Sequence, residues 1–172
     1  MTGMVTGFGT LLLMRGLGWI TLLLVLWSPT AWAHPPVEVT VSRVLDGDTA
    51  DVVLTTGTIK RVRLIGLNAP ELHEISPCGR RWALAAKAAL MQMVQGQTVR
   101  LVFDQVAEDR YQRWLAWAYV GERFLNVELV AQGLARYSNP GRNTAYRALV
   151  QAAEAAARQS GVGMWRTTAD FP

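Results

Sequence analysis

The chain has 172 residues, of which 51% are apolar, 17 are Lys or Arg, 13 are Asp or Glu and one is Cys. This length gives room for one ordinary domain, and the composition excludes a disordered tail, a collagen-like repeat and a protein with several membrane spans. A single cysteine, Cys78, excludes an intrachain disulfide framework and a zinc site built from clustered cysteines.

The N-terminal segment has the pattern of a targeting signal. Arg15 is the one charged residue of positions 1–33, so the rest of the chain carries a net charge of +3. An apolar run at 16–27 follows Arg15 and precedes Ala-Trp-Ala at 31–33. Because this run is shorter than the about 20 residues that span a bilayer, it predicts a signal peptide at 1–33, cleaved after Ala33. We expect a secreted or periplasmic protein without stable membrane association; an uncleaved membrane anchor is the alternative.

A short spacer at 34–36 leads into a predicted domain at 37–167, which leaves 168–172 as a C-terminal tail. Alternating apolar and polar residues at 37–41 predict a strand, and two further strands are predicted at 49–54 and 59–66. Ser76 and Pro77 are typical of a helix start, and the following helical spacing of apolar residues ends at Gly96.

The second half of the domain begins with two predicted strands, at 98–103 and 114–120, separated by a charged loop at 104–113. Asn126 is predicted to cap a short helix that ends at Gly133, and Asn143 a longer, alanine-rich helix that ends at Gly161. Five short strands cannot each bury both faces alone. The predicted fold is therefore of the α+β class, a five-stranded OB-type barrel with three helices.

The first of three polar clusters is Asp46-Gly47-Asp48-Thr49, where two carboxylates flank a glycine. Carboxylate oxygens suit a hard cation such as Ca²⁺. A simple Asp-Gly turn is the alternative interpretation.

The second cluster lies at 61–71, where Arg61 and Arg63 point to the same face of a strand. A guanidinium group matches the geometry of a phosphate. Pro70 holds Ala69 out of the helical region, so that Glu71 follows an abrupt turn and can project into a cleft. A surface arginine pair and a solvated glutamate are the alternative.

The third cluster is Asp109-Arg110-Tyr111-Gln112-Arg113, a basic loop with an aromatic side chain. Such a loop can hold a nucleotide through phosphate pairing and through base stacking on Tyr111. An ordinary solvated loop is the alternative.

With these clusters in this order, the sequence resembles the staphylococcal (thermonuclease-like) nuclease family. The resemblance extends over about residues 37–166 and is carried by DGDT at 46–49, RLIGLNAPE at 63–71, DRYQRWLA at 109–116, NVELVAQGLA at 126–135 and GVGMW at 161–165. It implies an OB-fold barrel with three helices and Ca²⁺-dependent cleavage of phosphodiester bonds in DNA and RNA.

The resemblance implies that Arg63, Arg113 and Glu71 are catalytic. Two guanidinium groups and a cation would neutralise the phosphate, and Glu71 would orient or deprotonate the attacking water. Three residues are expected to contact the nucleotide: Tyr111, Arg110 and Tyr137. Gln112 replaces a glycine common in the family, and Trp114 follows Arg113 where a smaller residue is frequent, so we expect a different loop shape.

For the metal, the resemblance implies that Asp48 is a calcium ligand, with Asp46 further from the ion. Ala69 would supply its backbone carbonyl, and Thr49 would lie near the ion. Asn68 stands where the family has a second carboxylate, so that a neutral amide oxygen replaces a negative charge and Ca²⁺ is expected to bind weakly.

Two functions remain open from the sequence. The first is an exported, Ca²⁺-dependent nuclease acting as a monomer on DNA and/or RNA. The alternative is a non-catalytic OB-fold module that binds nucleic acid, a role for which the loss of the carboxylate at Asn68 is the supporting feature.

Overall fold

The structure, a computed structural model, describes residues 35–73 and 76–166. The predicted signal peptide and the C-terminal tail lie outside the described residues. The strands are β1 (Val37–Val44), β2 (Thr49–Val53), β3 (Ile59–Leu64), β4 (Leu67–Asn68), β5 (Thr98–Val102), β6 (Trp114–Val120), β7 (Arg123–Phe124) and β8 (Arg136–Tyr137). The helices are α1 (Pro77–Val94), α2 (Leu125–Ala131) and α3 (Arg147–Ser160), followed by a 3₁₀ turn at Gly163–Trp165. None of the helices in these two ranges is long and apolar enough to cross a membrane.

Five strands close into a barrel in the order β3-β2-β1-β5-β6. All neighbours are antiparallel except the closing pair, in which β3 and β6 run parallel with Val62 opposite Trp114 and Leu64 opposite Ala116. Because β3 and β6, the first and last strands of this order, pair with each other, neither has an unpaired edge on that side. The predicted five-stranded barrel with three helices is confirmed.

Side chains alternate between the barrel core and its outer surface along β2 and β3. Val52, Val62 and Leu64 are buried in the core. On the outer face, Asp51 lies opposite Arg61 and Thr49 opposite Arg63. The strand β3 ends at Leu64, two residues before the predicted end, because Gly66 has a φ of 78° and turns the chain into β4.

Helix α1 begins as predicted. The Ser76 hydroxyl accepts a hydrogen bond from the Gly79 backbone N–H at 3.0 Å, and Pro77 occupies the first turn, where it has no N–H to leave unpaired. Ala86 and Leu90 are buried against the barrel. This face of α1 therefore supports the loops that carry the first two polar clusters.

The predicted cap of the second helix is wrong. Helix α2 begins at Leu125 after Phe124, and no side chain caps it. Asn126 lies inside the protein, where its amide oxygen accepts from the Ala118 N–H at 2.9 Å and its amide nitrogen donates to the Ile65 carbonyl at 2.9 Å. It therefore joins α2 to β6 and to the end of β3.

The predicted cap of the third helix is also wrong. Helix α3 begins at Arg147, and Asn143, four residues earlier, is buried and exchanges hydrogen bonds with both the N–H and the carbonyl of Val106. Of the face predicted to be apolar, Val150, Ala153 and Ala157 are buried but Leu149 is exposed. Leu149 lies in the first turn of α3, where 53% of it is exposed to solvent.

Candidate active site

The carboxylate of Asp48 lies at the centre of the candidate site and is only 1% exposed. Its Oδ2 accepts from the Ala69 backbone N–H at 2.8 Å, and its Oδ1 accepts from the Thr49 hydroxyl at 3.0 Å and from the Arg63 guanidinium. Three donors therefore compensate the buried charge and fix the position of both oxygens.

The turn that presents Asp48 is compact. The Asp46 carboxylate accepts from the Asp48 backbone N–H at 3.0 Å, which closes an Asx turn. A Cβ on Gly47 would lie 2.5 Å from the Cβ of Ala86 and 2.6 Å from that of Ala69. Glycine is therefore required here because the turn is wedged against α1 and the segment after β4.

Arg63 connects the first two clusters. Besides its ion pair with Asp48, its Nη2 donates to the Asn68 Oδ1 at 2.8 Å and, less closely, to the Leu67 carbonyl at 3.3 Å. The side chain is 16% exposed, and burial lowers the pKa of the guanidinium below its usual value. The nearby positive charge of Arg113 acts in the same direction, and the negative charges of Asp46, Glu71 and Asp109 oppose it.

Arg113 is held by Asp109 at the other end of its loop. The Asp109 Oδ1 accepts from the backbone N–H groups of Tyr111 and Arg113 at 2.8 and 3.0 Å, and its Oδ2 accepts from the Arg113 Nε at 2.8 Å. Burial tends to raise the pKa of Asp109, but these hydrogen bonds and the charge of Arg113 hold it below its usual value.

Gln112 takes up the strained conformation of this loop. Its φ is 61°, the one positive φ found for a residue other than glycine within 35–73 and 76–166. The family glycine that Gln112 replaces would adopt this angle without a Cβ clash.

Tyr111 is 63% exposed and lies beside two guanidinium groups. The Arg110 guanidinium carbon is 4.7 Å from the ring centroid, that of Arg113 is 5.5 Å away, and Arg110 also donates to the phenol oxygen. Tyr111 and Arg113 form one wall of an open groove that also contains Asp51, Ile59 and Arg61.

The remaining predicted residues differ in accessibility. Glu71 is exposed after Pro70 and makes no hydrogen bond or ion pair with the part of the chain that the structure describes, although its charge acts on Arg63. Tyr137 pairs with Leu67 across β8 and β4, and its phenol oxygen is buried without a hydrogen-bond partner among the same residues. Glu71 thus lies within range of electrostatic interaction with Arg63, whereas the Tyr137 hydroxyl is not presented at the surface.

Within 35–73 and 76–166, no group of three or more His, Cys, Asp or Glu side chains is arranged to hold a metal. The oxygens gathered on Arg63 are of three kinds: the Asp48 carboxylate, the Asn68 amide and the Leu67 carbonyl. They are the oxygen types that Ca²⁺ accepts, and they already converge on one cationic group.

Comparison with known proteins identifies the family. The model of the staphylococcal nuclease homologue family matches residues 61–167. The thermonuclease of Staphylococcus intermedius is 34% identical over 125 residues, which cover 73% of this chain and 74% of that protein. The chain belongs to the staphylococcal nuclease family.

Two further relatives are similar to this chain over most of their length. The micrococcal nuclease of Shigella flexneri is 32% identical over 148 residues, covering 80% of this chain and 78% of that protein. An uncharacterized endonuclease of Haemophilus influenzae is 30% identical over 146 residues, covering 84% and 75%. The family resemblance and the predicted enzyme class, a hydrolytic nuclease, are confirmed.

The sequence interpretation placed Asp109 in the third cluster without a role for it and did not single out Asp51. Asp109 positions the Arg113 loop, and an aspartate two residues before the loop centre is the usual signature of such a turn. Asp51 binds Arg61 across β2 and β3, a pairing that the short turn at 55–58 would have predicted from strand register.

Proposed function

We propose that this chain is an exported nuclease that hydrolyses phosphodiester bonds of DNA and/or RNA with the help of a Ca²⁺ ion. Its class, a hydrolytic nuclease, follows from the family to which it belongs. The calcium dependence, the roles of individual residues and the export are the parts that we propose.

The observation that supports this function most strongly is the position of Arg63. Its guanidinium lies where the Asp48 and Asn68 oxygens meet, and the charges of Arg113 and Glu71 both act on it. A phosphodiester resists attack because its anionic oxygens repel a nucleophile, and two guanidinium groups offset that charge as it grows in the transition state.

The residues around Asp48 fit a calcium ion. Asp48 would supply the one carboxylate, Asn68 its amide oxygen and Ala69 its backbone carbonyl, while Thr49 and Asp46 hold the Asp48 turn in place. When bound, Ca²⁺ would add positive charge next to the phosphate and polarise it. With a single carboxylate among the ligands, the affinity for Ca²⁺ is expected to be low.

The protein's own residues perform the remaining steps. Arg63 and Arg113 bind the phosphate oxygens, and Asp109 keeps the Arg113 side chain oriented through hydrogen bonds to its guanidinium and backbone. Tyr111 offers an exposed ring to a base. Glu71, exposed and not engaged by another described side chain, orients the water and accepts its proton.

The role of Glu71 is tested by Glu71→Gln. Because the carboxylate is assigned to water and not to the phosphate, we expect the rate of hydrolysis to fall by about 10²–10⁴-fold while the affinity for single-stranded DNA changes little. Plasmid digestion and fluorescence anisotropy measure the two quantities on residues 34–172. Glu122→Gln, in the exposed turn between β6 and β7, is the matched control and is expected to keep full activity. Near-normal hydrolysis by Glu71→Gln would contradict the assignment.

The two arginines are tested in the same assays. Arg63→Ala and Arg113→Ala should each lower the rate by about 10²-fold or more, because each removes a donor that faces the growing charge. Arg63→Ala should also lower the free energy of unfolding measured without Ca²⁺. The buried Asp48 carboxylate then keeps only uncharged hydrogen-bond donors. Full activity in either variant would exclude that arginine from the site.

The second candidate is a module that binds nucleic acid without cutting it. The feature that favours this function is Asn68, which deprives the site of a carboxylate. Digestion with Ca²⁺ and with a chelator separates the candidates: retained binding without cleavage in either condition would support the module, whereas cleavage that the chelator abolishes would support the nuclease.

Export is supported by the pattern of residues 1–33. We expect the mature protein to begin at His34, to be recovered outside the cytoplasm and to be a monomer. N-terminal sequencing of the protein from the extracellular or periplasmic fraction, followed by gel filtration, measures these properties. Full-length protein in the membrane fraction would instead favour the anchor.

A further inference from the structure

The groove beside Arg113 extends away from Arg63 along the outer surface of the barrel. Its lining consists of Asp51, Ile59, Arg61, Tyr111 and Arg113. Because Val62 lies opposite Trp114 in the parallel pair, the preceding residues Arg61 and Arg113 are neighbours across the same two strands. The groove therefore begins at a proposed catalytic residue and continues onto β3.

Arg61 presents unused donors to this groove. Its side chain is 48% exposed, and its Nε and Nη2 donate to Asp51 at 2.7 and 3.3 Å. A guanidinium has five N–H groups, so donors remain for a second anion after Asp51 is satisfied.

The charge balance in the groove also favours an anion. Asp51 faces two arginines, because the Arg43 Nε lies 3.8 Å from its Oδ2 in addition to the closer Arg61. At the groove itself Arg61 is paired with Asp51 and Arg113 with Asp109, and the Arg110 guanidinium beside Tyr111 leaves an excess of positive charge. A phosphate entering the groove therefore meets a positive surface.

Two large apolar side chains lie next to these charges. Ile59 is 64% exposed and Tyr111 63% exposed, and both line the groove. Ile59 is on the same outward face of β3 as Arg61 and Arg63, since residues two apart on a strand share a face. Apolar or aromatic surfaces interleaved with arginines are typical of sites that bind single-stranded nucleic acid.

We propose that this groove is a second nucleotide subsite, in which Arg61 binds the phosphate next to the scissile one and Ile59 packs against a base. The backbones of Arg61 and Arg63 are about 6.6 Å apart along the strand, close enough for two long side chains to reach neighbouring phosphates of an extended chain. The proposal rests on the proposed function and adds a substrate preference: a single strand of several nucleotides is bound better than a dinucleotide.

The experiment compares the binding of two fluorescently labelled single-stranded DNAs in the presence of a chelator, which separates binding from cleavage. One is a dinucleotide and the other has about twelve nucleotides, within the site sizes known for OB-folds. Arg61→Ala should reduce the ratio of the two affinities by about five- to ten-fold. It should also reduce the salt dependence of oligonucleotide binding by about 0.7 in log–log slope, the value for one lost contact to a single strand.

Arg43→Ala is the matched control. It removes the other arginine beside Asp51, but Arg43 lines a different groove, between β1 and α1. This variant should leave the affinity ratio unchanged. Arg61→Lys keeps the charge without the fork geometry and should restore part of the ratio, and thermal unfolding of each variant reports whether the barrel is intact.

Equal effects of Arg61→Ala and Arg43→Ala on the ratio, or an unchanged ratio in Arg61→Ala, would overturn the subsite. These outcomes are distinct from a failure of the proposed function. If the wild-type protein prefers the longer strand, loses this preference in Arg61→Ala and yet never cleaves DNA, the subsite is supported and the proposed nuclease function is contradicted.

Discussion

At Gln112 the chain turns with a positive φ between Tyr111 and Arg113, the two residues that form a wall of the groove. A Cβ in this conformation costs about 1 kcal/mol. The side chain is exposed and makes no compensating hydrogen bond within the described residues. The loop therefore holds Gln112 in a conformation suited to glycine, at a cost in stability.

Gln112→Gly should raise the free energy of unfolding by about 0.5–1 kcal/mol, because the relief of strain exceeds the added freedom of the unfolded chain. Urea denaturation measures the change. The same substitution at Gln92, exposed within α1, should instead lower the free energy by about 1 kcal/mol. A decrease in both variants would show that the loop is not strained at Gln112.

Asn68 stands at the position where the resemblance to the family implies a carboxylate. Its Oδ1 already accepts a hydrogen bond from Arg63, which also forms an ion pair with Asp48. An aspartate at position 68 would therefore place a second negative charge beside Arg63 and Asp48. If Ca²⁺ binds here as proposed, Asn68→Asp should lower the half-saturating Ca²⁺ concentration several-fold. The maximal rate need not rise, because the added carboxylate binds Arg63 more tightly and repels the negatively charged phosphate of the substrate.

The measurement is a Ca²⁺ titration of nuclease activity at fixed ionic strength. Gln97→Glu, an equal change of charge in the exposed turn before β5, serves as the control and should not move the midpoint. An unchanged midpoint in Asn68→Asp would mean that Asn68 is not a ligand. Cleavage by the wild type without any metal would contradict the calcium mechanism.

Among the secondary-structure elements, α2 is fixed to the barrel by a buried asparagine. Asn126 is fully buried and satisfies an N–H of β6 and the carbonyl after β3. Asn126→Ser keeps a good capping residue but cannot reach both groups, so it should lower the free energy of unfolding by about 2 kcal/mol or more. Ser76→Asn at the true cap of α1 should change it by only a few tenths of a kcal/mol. Equally small changes in the free energy of unfolding for the two variants would instead indicate that Asn126 acts as a helix cap.

The elements themselves were predictable wherever the signal is local. Alternation of apolar residues located β1, β2 and β3, and Ser76 with Pro77 located the start of α1. The caps at Asn126 and Asn143 were wrong because an asparagine before an apolar run has the same local pattern whether it caps the helix or binds a distant strand. The partner of Asn143 is 37 residues away, and no local pattern contains that distance.

The candidate site was predictable in its parts but not in its connections. The motifs around Asp48, Arg63 and Arg113 were recognised, yet the arginine and the expected metal ligands were assigned to different partners. Their contact depends on the Asx turn at Asp46 and on β4, which bring the residues together in three dimensions. Sequence spacing reports which residues are present and leaves their hydrogen bonds undetermined.

For the whole molecule, the carboxylates of Asp51 and Asp109 make the free energy of unfolding depend on pH in the acidic range. The hydrogen bond from Arg61 is the main cause that holds the pKa of Asp51 below its usual value, and the pKa of Asp109 is also lowered. A carboxyl group with a lower pKa in the folded state binds fewer protons there than when unfolded. Its stabilisation is complete above the unfolded pKa of about 3.9 and is lost as the pH falls through the folded value.

We therefore expect the free energy of unfolding to decrease below about pH 4 and Asp109→Asn to weaken that decrease. The variant should be less stable than the wild type at neutral pH, and the difference should be smaller at about pH 3, where the carboxyl group of the unfolded chain is largely protonated and the stabilisation is being lost. Urea denaturation at the two pH values measures both quantities. A difference that is constant with pH would show that Asp109 acts without its charge.

The parallel pairing of β3 with β6 has a consequence for the order of events during folding. Arg63 and Arg113 belong to chain segments about fifty positions apart, and the pairing of β3 with β6 joins the two ends of the strand order β3-β2-β1-β5-β6. Such long-range pairing is entropically expensive and slow compared with the formation of hairpins and helices. During refolding, nuclease activity should consequently return with the last kinetic phase, after the helical circular dichroism signal has recovered. The recovery of activity would then mark the moment at which β3 pairs with β6 and the barrel closes.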